Sequence, residues 1–330
     1  MKNFRRILAL LTAAVMLFSF ASCKDGNNGG ETNPEETTSY VRESKTRIAM
    51  LSGIDVLGTA KLRADRDYAY TGTTCNTVQE IENLITEGKA DLAAVPLDVA
   101  AKLYNSTNGG VKIIAVNTLG VLNLLTGDGS VTSLADIKGK TVYATGKDGY
   151  YGYFINYVLT QNGIDPEKDV TIEYREQNEV VDLAVKGEAK LCFIPEPYAT
   201  KVVTENKEMK RLIDLNALWE KASGTKPVQS VVIARTEYIE QNPGYIETFL
   251  FQNEVSLNFL GSEDNQGINF LHNNKYFSSF ELAQASVPAC NFVFMKGEDM
   301  KPGIKSVFDA FYGIDPASVG GAIPDDGIFH

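Results

Sequence analysis

Gly88-Lys89-Ala90-Asp91-Leu92-Ala93-Ala94-Val95-Pro96-Leu97-Asp98-Val99-Ala100-Ala101-Lys102-Leu103 has a counterpart later in the chain, Gly187-Glu188-Ala189-Lys190-Leu191-Cys192-Phe193-Ile194-Pro195-Glu196-Pro197-Tyr198-Ala199-Thr200-Lys201-Val202. Gly, Ala, Leu, Pro, Ala and Lys recur at matching places, with Val95/Ile194 and Leu103/Val202 as near matches. Each copy reads as one mechanical unit. A helix ends at Gly, which closes it in the left-handed conformation. A short apolar run then suits a buried parallel strand. Pro ends that strand, having no N–H for the ladder, and a second helix begins just beyond. Pro96-Leu97-Asp98 and Pro195-Glu196-Pro197 are therefore expected at the carboxyl ends of two sheets, where ligands bind in open α/β folds. The duplication suggests two similar lobes facing across a cleft; two ordinary αβα units alike by coincidence are the alternative.

On the amino-terminal side of the first copy, residues 46–51 read as a strand followed by Ser52-Gly53, and residues 58–62 as the start of a helix. A Gly at the end of a first strand lets a ligand approach the backbone; an ordinary turn fits as well. Thr77-Val78-Gln79-Glu80 matches a capping box. Asp98 falls where a helix N-cap belongs, and capping is a role it fills without any ligand; a cap at a cleft can also meet a cationic ligand group. Residues 111–116 form the next strand, and the apolar run 119–126 crosses to the second lobe.

Between the copies, residues 141–144 read as a strand leading into Thr145-Gly146-Lys147-Asp148-Gly149-Tyr150-Tyr151. The glycines and the following helix start would offer N–H groups to an anion, Lys147 would add charge, and Tyr150 or Tyr151 would stack on a flat ligand. A Gly-rich turn with core tyrosines is the plainer alternative. Gly146, Lys147, Asp148, Gly149 and Tyr150 join Ser52, Gly53, Pro96, Leu97, Asp98, Glu196, Pro197 and Tyr198 as candidate ligand-binding residues. Glu196 is expected to meet a ligand amine or ring N–H; its alternative is a rim charge. The sole tryptophan, Trp219, is assigned to the core. Residues 228–234 read as the return strand, and after it the chain reads as mostly helical.

The chain opens with basic Lys2, Arg5 and Arg6, then an apolar run over residues 7–20 that is short for a membrane span. Phe20-Ala21-Ser22-Cys23 follows, resembling the lipobox of bacterial lipoproteins, although Phe stands where Leu is usual. The expected organisation is a leader over 1–22, a lipidated Cys23 with a polar tether over 23–44, one lobe from 45–122 plus 229–330, and a second from 123–228. A secretory leader with an incidental Cys is the alternative.

The 330 residues suffice for two cores, and hydrophobic content of 44% with 22% charged residues is that of a soluble globular protein. A formal net charge of −11 speaks against nucleic acid as a partner. Only His272 and His330 are present, which disfavours histidine metal sites, and the four cysteines lack CxxC spacing. No metal, cofactor or disulfide is expected.

Taken together, Ser52-Gly53, Gly88 to Leu92, the run Ser133 to Val142, Gly187 through Glu196-Pro197, and Gly320-Gly321-Ala322-Ile323-Pro324-Asp325-Asp326 resemble the solute-binding lipoproteins of bacterial ABC importers. The resemblance spans residues 46–330 and is strongest to the nitrate, sulfonate, taurine and thiamine-pyrimidine binders. It implies a two-lobed α/β periplasmic-binding-protein fold of type II, each lobe a mixed sheet flanked by helices, with two crossing strands as hinge. It also implies an ABC permease and ATPase as partners, a membrane held through the lipid anchor, a monomer outside the cytoplasm, and no catalysis. The implied ligand is a small polar organic molecule, sulfonate- or pyrimidine-like. Pyrimidine-related members carry Gly-x-x-Gly in a loop comparable to Gly146–Gly149, here with Lys and Asp between the glycines. An enzyme on the same fold and a surface lipoprotein that senses or adheres are the rival readings.

Overall fold

The computed structural model describes residues 46–65 and 70–330. The leader, Cys23 and the tether lie outside the described residues.

Eleven strands form two sheets among the described residues. β1 (Thr46–Leu51), β2 (Tyr70–Cys75), β3 (Leu92–Pro96) and β4 (Val111–Leu119) belong to the first sheet, and β5 (Leu122–Thr126), β6 (Thr141–Ala144), β7 (Thr171–Tyr174), β8 (Leu191–Pro195) and β9 (Lys210–Asp214) make the second. β10 (Val228–Arg235) and β11 (Phe292–Met295) return to the first. The strand orders are β11-β4-β10-β3-β1-β2 and β7-β6-β8-β5-β9. Both sheets are mixed: β3 runs parallel to β1 and antiparallel to β10, and β8 parallel to β6 and antiparallel to β5.

The duplicated stretch occupies the same place in each sheet. Gly88 and Gly187 are both left-handed, at φ +65 and +76. β3 and β8 follow, buried along Leu92–Val95 and Leu191–Pro195, and the next helices run over Leu97–Ser106 and Tyr198–Glu205. The copies differ at Asp91, where the second has Lys190. Asp91 fastens three strands, because Arg47 in β1 and Arg235 in β10 reach it at 2.6 and 3.2 Å.

The chain passes between the sheets twice, and the passages lie side by side. Gly120 and Val121 link β4 to β5, and Pro227 leads back into β10. Gly120 N donates to Pro227 O at 2.8 Å. A Cβ on Gly120 would stand 2.7 Å from Pro227 Cγ and still closer to Asn216 Oδ1, so only glycine fits the crossing.

Three expectations need correction. The helix after β1 begins at Ile54, four residues before Gly58. β9 and β11 were not anticipated: β9 is a polar edge strand, and β11 is four half-buried residues within helical surroundings. Asp98 is not an N-cap. Pro96 holds that position, and Asp98 lies inside the first turn. Trp219 is in the core as expected, fully buried and stacked on Phe154 at 4.9 Å. Cys75, Cys192 and Cys290 are buried and free. No helix among the described residues is long and apolar enough to cross a membrane.

Candidate functional site

Strand-to-helix loops from both sheets converge on one cavity of about 600 Å³. The first sheet contributes Ser52 to Asp55 after β1, Asn76 and Val78 after β2, Pro96 and Asp98 after β3, and Gln229 and Ser230 at the start of β10. The second contributes Thr145, Gly146 and Gly149 to Tyr151 after β6, Glu176 to Asn178 after β7, and Pro195, Glu196 and Tyr198 after β8. Strand ends supply ligand contacts in such folds because the chain there is free of ladder pairing and aims side chains outward.

Asp55 holds the centre of the first wall. Gly53, at φ +110, turns the chain from β1 into the helix Ile54–Gly58 and so places Asp55 over the sheet edge. Asp55 is 4% exposed. The Ser230 hydroxyl donates to its Oδ1, and no cation pairs with it among the described residues. Burial pushes its carboxyl up to about 7, with the Ser230 hydrogen bond pulling the other way.

Gln229 and Ser230 face the cavity although they are adjacent in a strand, where neighbours ordinarily point to opposite sides. The pairing of β10 with β4 shifts register on both sides of Ser230. This bulge re-aims the two side chains to one face. Gln229 Nε2 donates to the Tyr151 hydroxyl at 2.9 Å.

Asp98 is 2% exposed and takes Lys102 Nζ at 3.1 Å on Oδ2, one helical turn away. Burial raises its pKa and Lys102 opposes the rise. Its Oδ1 has no partner, and neither do the buried Tyr150 hydroxyl, Gln229 Oε1 and Gln177 Nε2. Buried polar atoms are ordinarily paired; four unpaired ones belong to residues of this cavity, and others lie elsewhere among the described residues.

Of the candidate residues from sequence, Ser52, Gly53, Pro96, Asp98, Gly146, Gly149, Tyr150, Glu196 and Tyr198 line the cavity. Leu97 does not: it is fully buried in the hydrophobic core, because the helix starts at that residue and turns it inward. Lys147 and Asp148 are exposed and outside the lining. Two N–H groups near the expected anion cradle are taken within the loop, since those of Gly149 and Gly152 both donate to Gly146 O, at 3.1 and 3.0 Å. Pro197 lines a neighbouring hollow of about 340 Å³ that shares Gly53 and Tyr198 with the cleft.

Glu196 lines the cavity without the free carboxylate expected of it. Arg211 Nη2 and Nε reach Oε1 at 2.6 and 3.0 Å, and Thr200 N and Oγ1 reach Oε2 at 3.0 and 2.7 Å. Its charge is balanced from within the lobe. Asp55, Gln229 and Ser230 emerge only in three dimensions. Asp55 hides in a five-residue helix, and the bulge that turns Gln229 leaves no trace in hydropathy. No group of three or more His, Cys, Asp or Glu among the described residues is placed to hold a metal.

The family model for phosphonate ABC-transporter periplasmic substrate-binding proteins matches residues 59–245, more than half of the chain. Among curated proteins, none matches this sequence. Several solved structures are similar in fold. An ABC transporter protein from Parabacteroides distasonis is 16% identical with a TM-score of 0.73, covering 87% of this chain and 99% of its own. The periplasmic aliphatic sulphonate binding protein SsuA from Escherichia coli is 16% identical with a TM-score of 0.68, covering 84% and 95%. The periplasmic nitrate-binding protein NrtA from Synechocystis is 15% identical with a TM-score of 0.57, covering 73% and 69%. The two mixed sheets flanked by helices are the two-lobed periplasmic-binding-protein fold of these neighbours.

Proposed function

The chain belongs to the family of ABC-transporter periplasmic substrate-binding proteins, and from that premise we propose that it captures a small polar organic molecule between its two lobes and delivers it to a permease. The observation that carries this is the cavity itself: its walls come from the carboxyl edges of both sheets, and residues on each side carry buried polar atoms without a partner. The lobes we assign are 45–122 with 229–330, and 123–228. The paired crossings at Gly120 and Pro227 would let them close on a guest, with binding energy supplied by contacts made only in the closed state. Family and neighbours are binding proteins of transport systems, so no turnover is proposed.

We further propose that residues 1–22 are an export leader and that lipidated Cys23 holds the protein at the outer face of the membrane. Mass spectrometry of the membrane fraction of expressing cells should find acylated Cys23 at the amino terminus; a soluble product retaining residues 1–22 would contradict the anchor. Binding is tested by a thermal-shift screen over sulfonates, phosphonates, pyrimidines, nitrate, amines and amino acids. A ligand held only by the folded state raises the melting temperature, by an amount that grows with its concentration. No shift from any class would overturn the proposal.

A further inference from the structure

The cavity carries charge of one sign. Asp55, Asp98, Glu176 and Glu196 line it, and no Lys, Arg or His does. Arg211 balances Glu196, and Lys102 occupies one oxygen of Asp98. Asp55 has only a serine hydroxyl. An anion entering this cleft would meet carboxylates with no lining cation to offset them, an arrangement that burial makes costly. In the loop after β6, Gly149 and Gly152 spend their N–H groups on Gly146 O. Two acceptor oxygens lack a donor: Asp98 Oδ1 is buried without a partner, and the hydrogen bond Asp55 receives from Ser230 goes to Oδ1 and leaves Oδ2.

Resting on the solute-binding role above, we propose that the cleft selects a small organic cation, an ammonium or amidinium, with Asp55 as its charge partner and Asp98 Oδ1 as a second acceptor. Tyr150, Tyr151 and Tyr198 supply aromatic surface on the same cavity, which suits a cation with an apolar body. A metal ion is disfavoured as the cation, since no three metal-ligating groups among the described residues gather there. The raised pKa of Asp55 accords with a carboxylate desolvated in the absence of its partner.

The test uses the full chain and charge-matched probe sets in thermal-shift and calorimetric titrations: benzylammonium, benzamidinium and butylammonium against benzoate, benzenesulfonate, phenylphosphonate and butanesulfonate. The expected result is stabilisation by cations and none by their anionic counterparts. Asp55→Asn should weaken the best cation by about tenfold or more, the scale of a lost charge-assisted contact. Asn retains an oxygen for the Ser230 hydroxyl, and a circular dichroism melt verifies its fold; Asp98→Asn, expected to weaken the same cation about threefold or more, is the second variant. Shifts confined to the anions, or equal in both sets, overturn the cation assignment and leave solute binding standing. No shift from either set, nor from the broader screen, removes both. Cation affinity unchanged in both variants overturns the roles given to Asp55 and Asp98.

Discussion

Asp55 is a buried carboxyl whose ionisation is unfavourable in the empty protein, and this gives it a signature in stability. Its folded pKa, about 7, lies above the unfolded value of 3.8. Between those pH values the unfolded chain has lost the proton and the folded chain keeps it, so stability falls as pH rises through the window and levels off above it. The full drop is on the order of 4 kcal/mol. Asp98 acts in the same direction, so the difference between wild type and Asp55→Asn isolates the Asp55 share. Urea denaturation at pH 5 and pH 8 should show wild type losing much more stability than the variant; parallel losses would contradict the assignment. Glu196 behaves differently, since its carboxylate accepts four hydrogen bonds from Arg211 and Thr200. Glu196→Ala should cost about 2 kcal/mol, below the range for a wholly buried pair because the Arg211 side chain is 37% exposed. Denaturant midpoints check this. The sequence shows Glu196 at a strand end but not Arg211, fifteen positions on, that occupies it. A pairing set by tertiary approach has no local signal.

At the scale of elements, most of the framework is legible in the chain. Paired left-handed glycines, four- or five-residue apolar runs and terminal prolines place β3 and β8, because each feature answers a local backbone constraint. Illegible are the features that arise from neighbours. The β10 bulge depends on pairing with β4, and β11 is a strand only because β4 offers it an edge. The β1–helix junction is a local constraint again: Gly53 at φ +110 and ψ −130 occupies a region open to little besides glycine. Gly53→Ala should therefore destabilise by about 1–3 kcal/mol, although a Cβ there would touch nothing within 4 Å. It should also displace Asp55 and weaken ligand binding. Chemical denaturation and titration of the same sample separate the two effects, and an unaltered midpoint would refute the backbone argument.

At the scale of the molecule, two sheets are joined where Gly120 meets Pro227, and an aromatic seam joins them again. Tyr150, after β6, packs its ring on Phe311 of the helix Lys301–Ile314 at 5.3 Å, and Phe311 lies against Trp219 at 6.1 Å. The crossing has no spare room. Gly120→Val should push Asn216 and Pro227 apart and cost about 1–3 kcal/mol, as overpacking does, with weaker ligand binding because the walls no longer meet in register. Melting curves and titrations check both; a fully stable variant would show that the crossing tolerates a side chain. In the proposed binding role both sheets grip one guest. Hydrogen–deuterium exchange with and without the most stabilising compound from the screen tests it most directly. The expected result is simultaneous protection of residues 52–55 and 229–230 from one sheet and of 145–151 and 196–198 from the other. Protection limited to one sheet, or centred on residues 276–282 beside the smaller hollow, would contradict it.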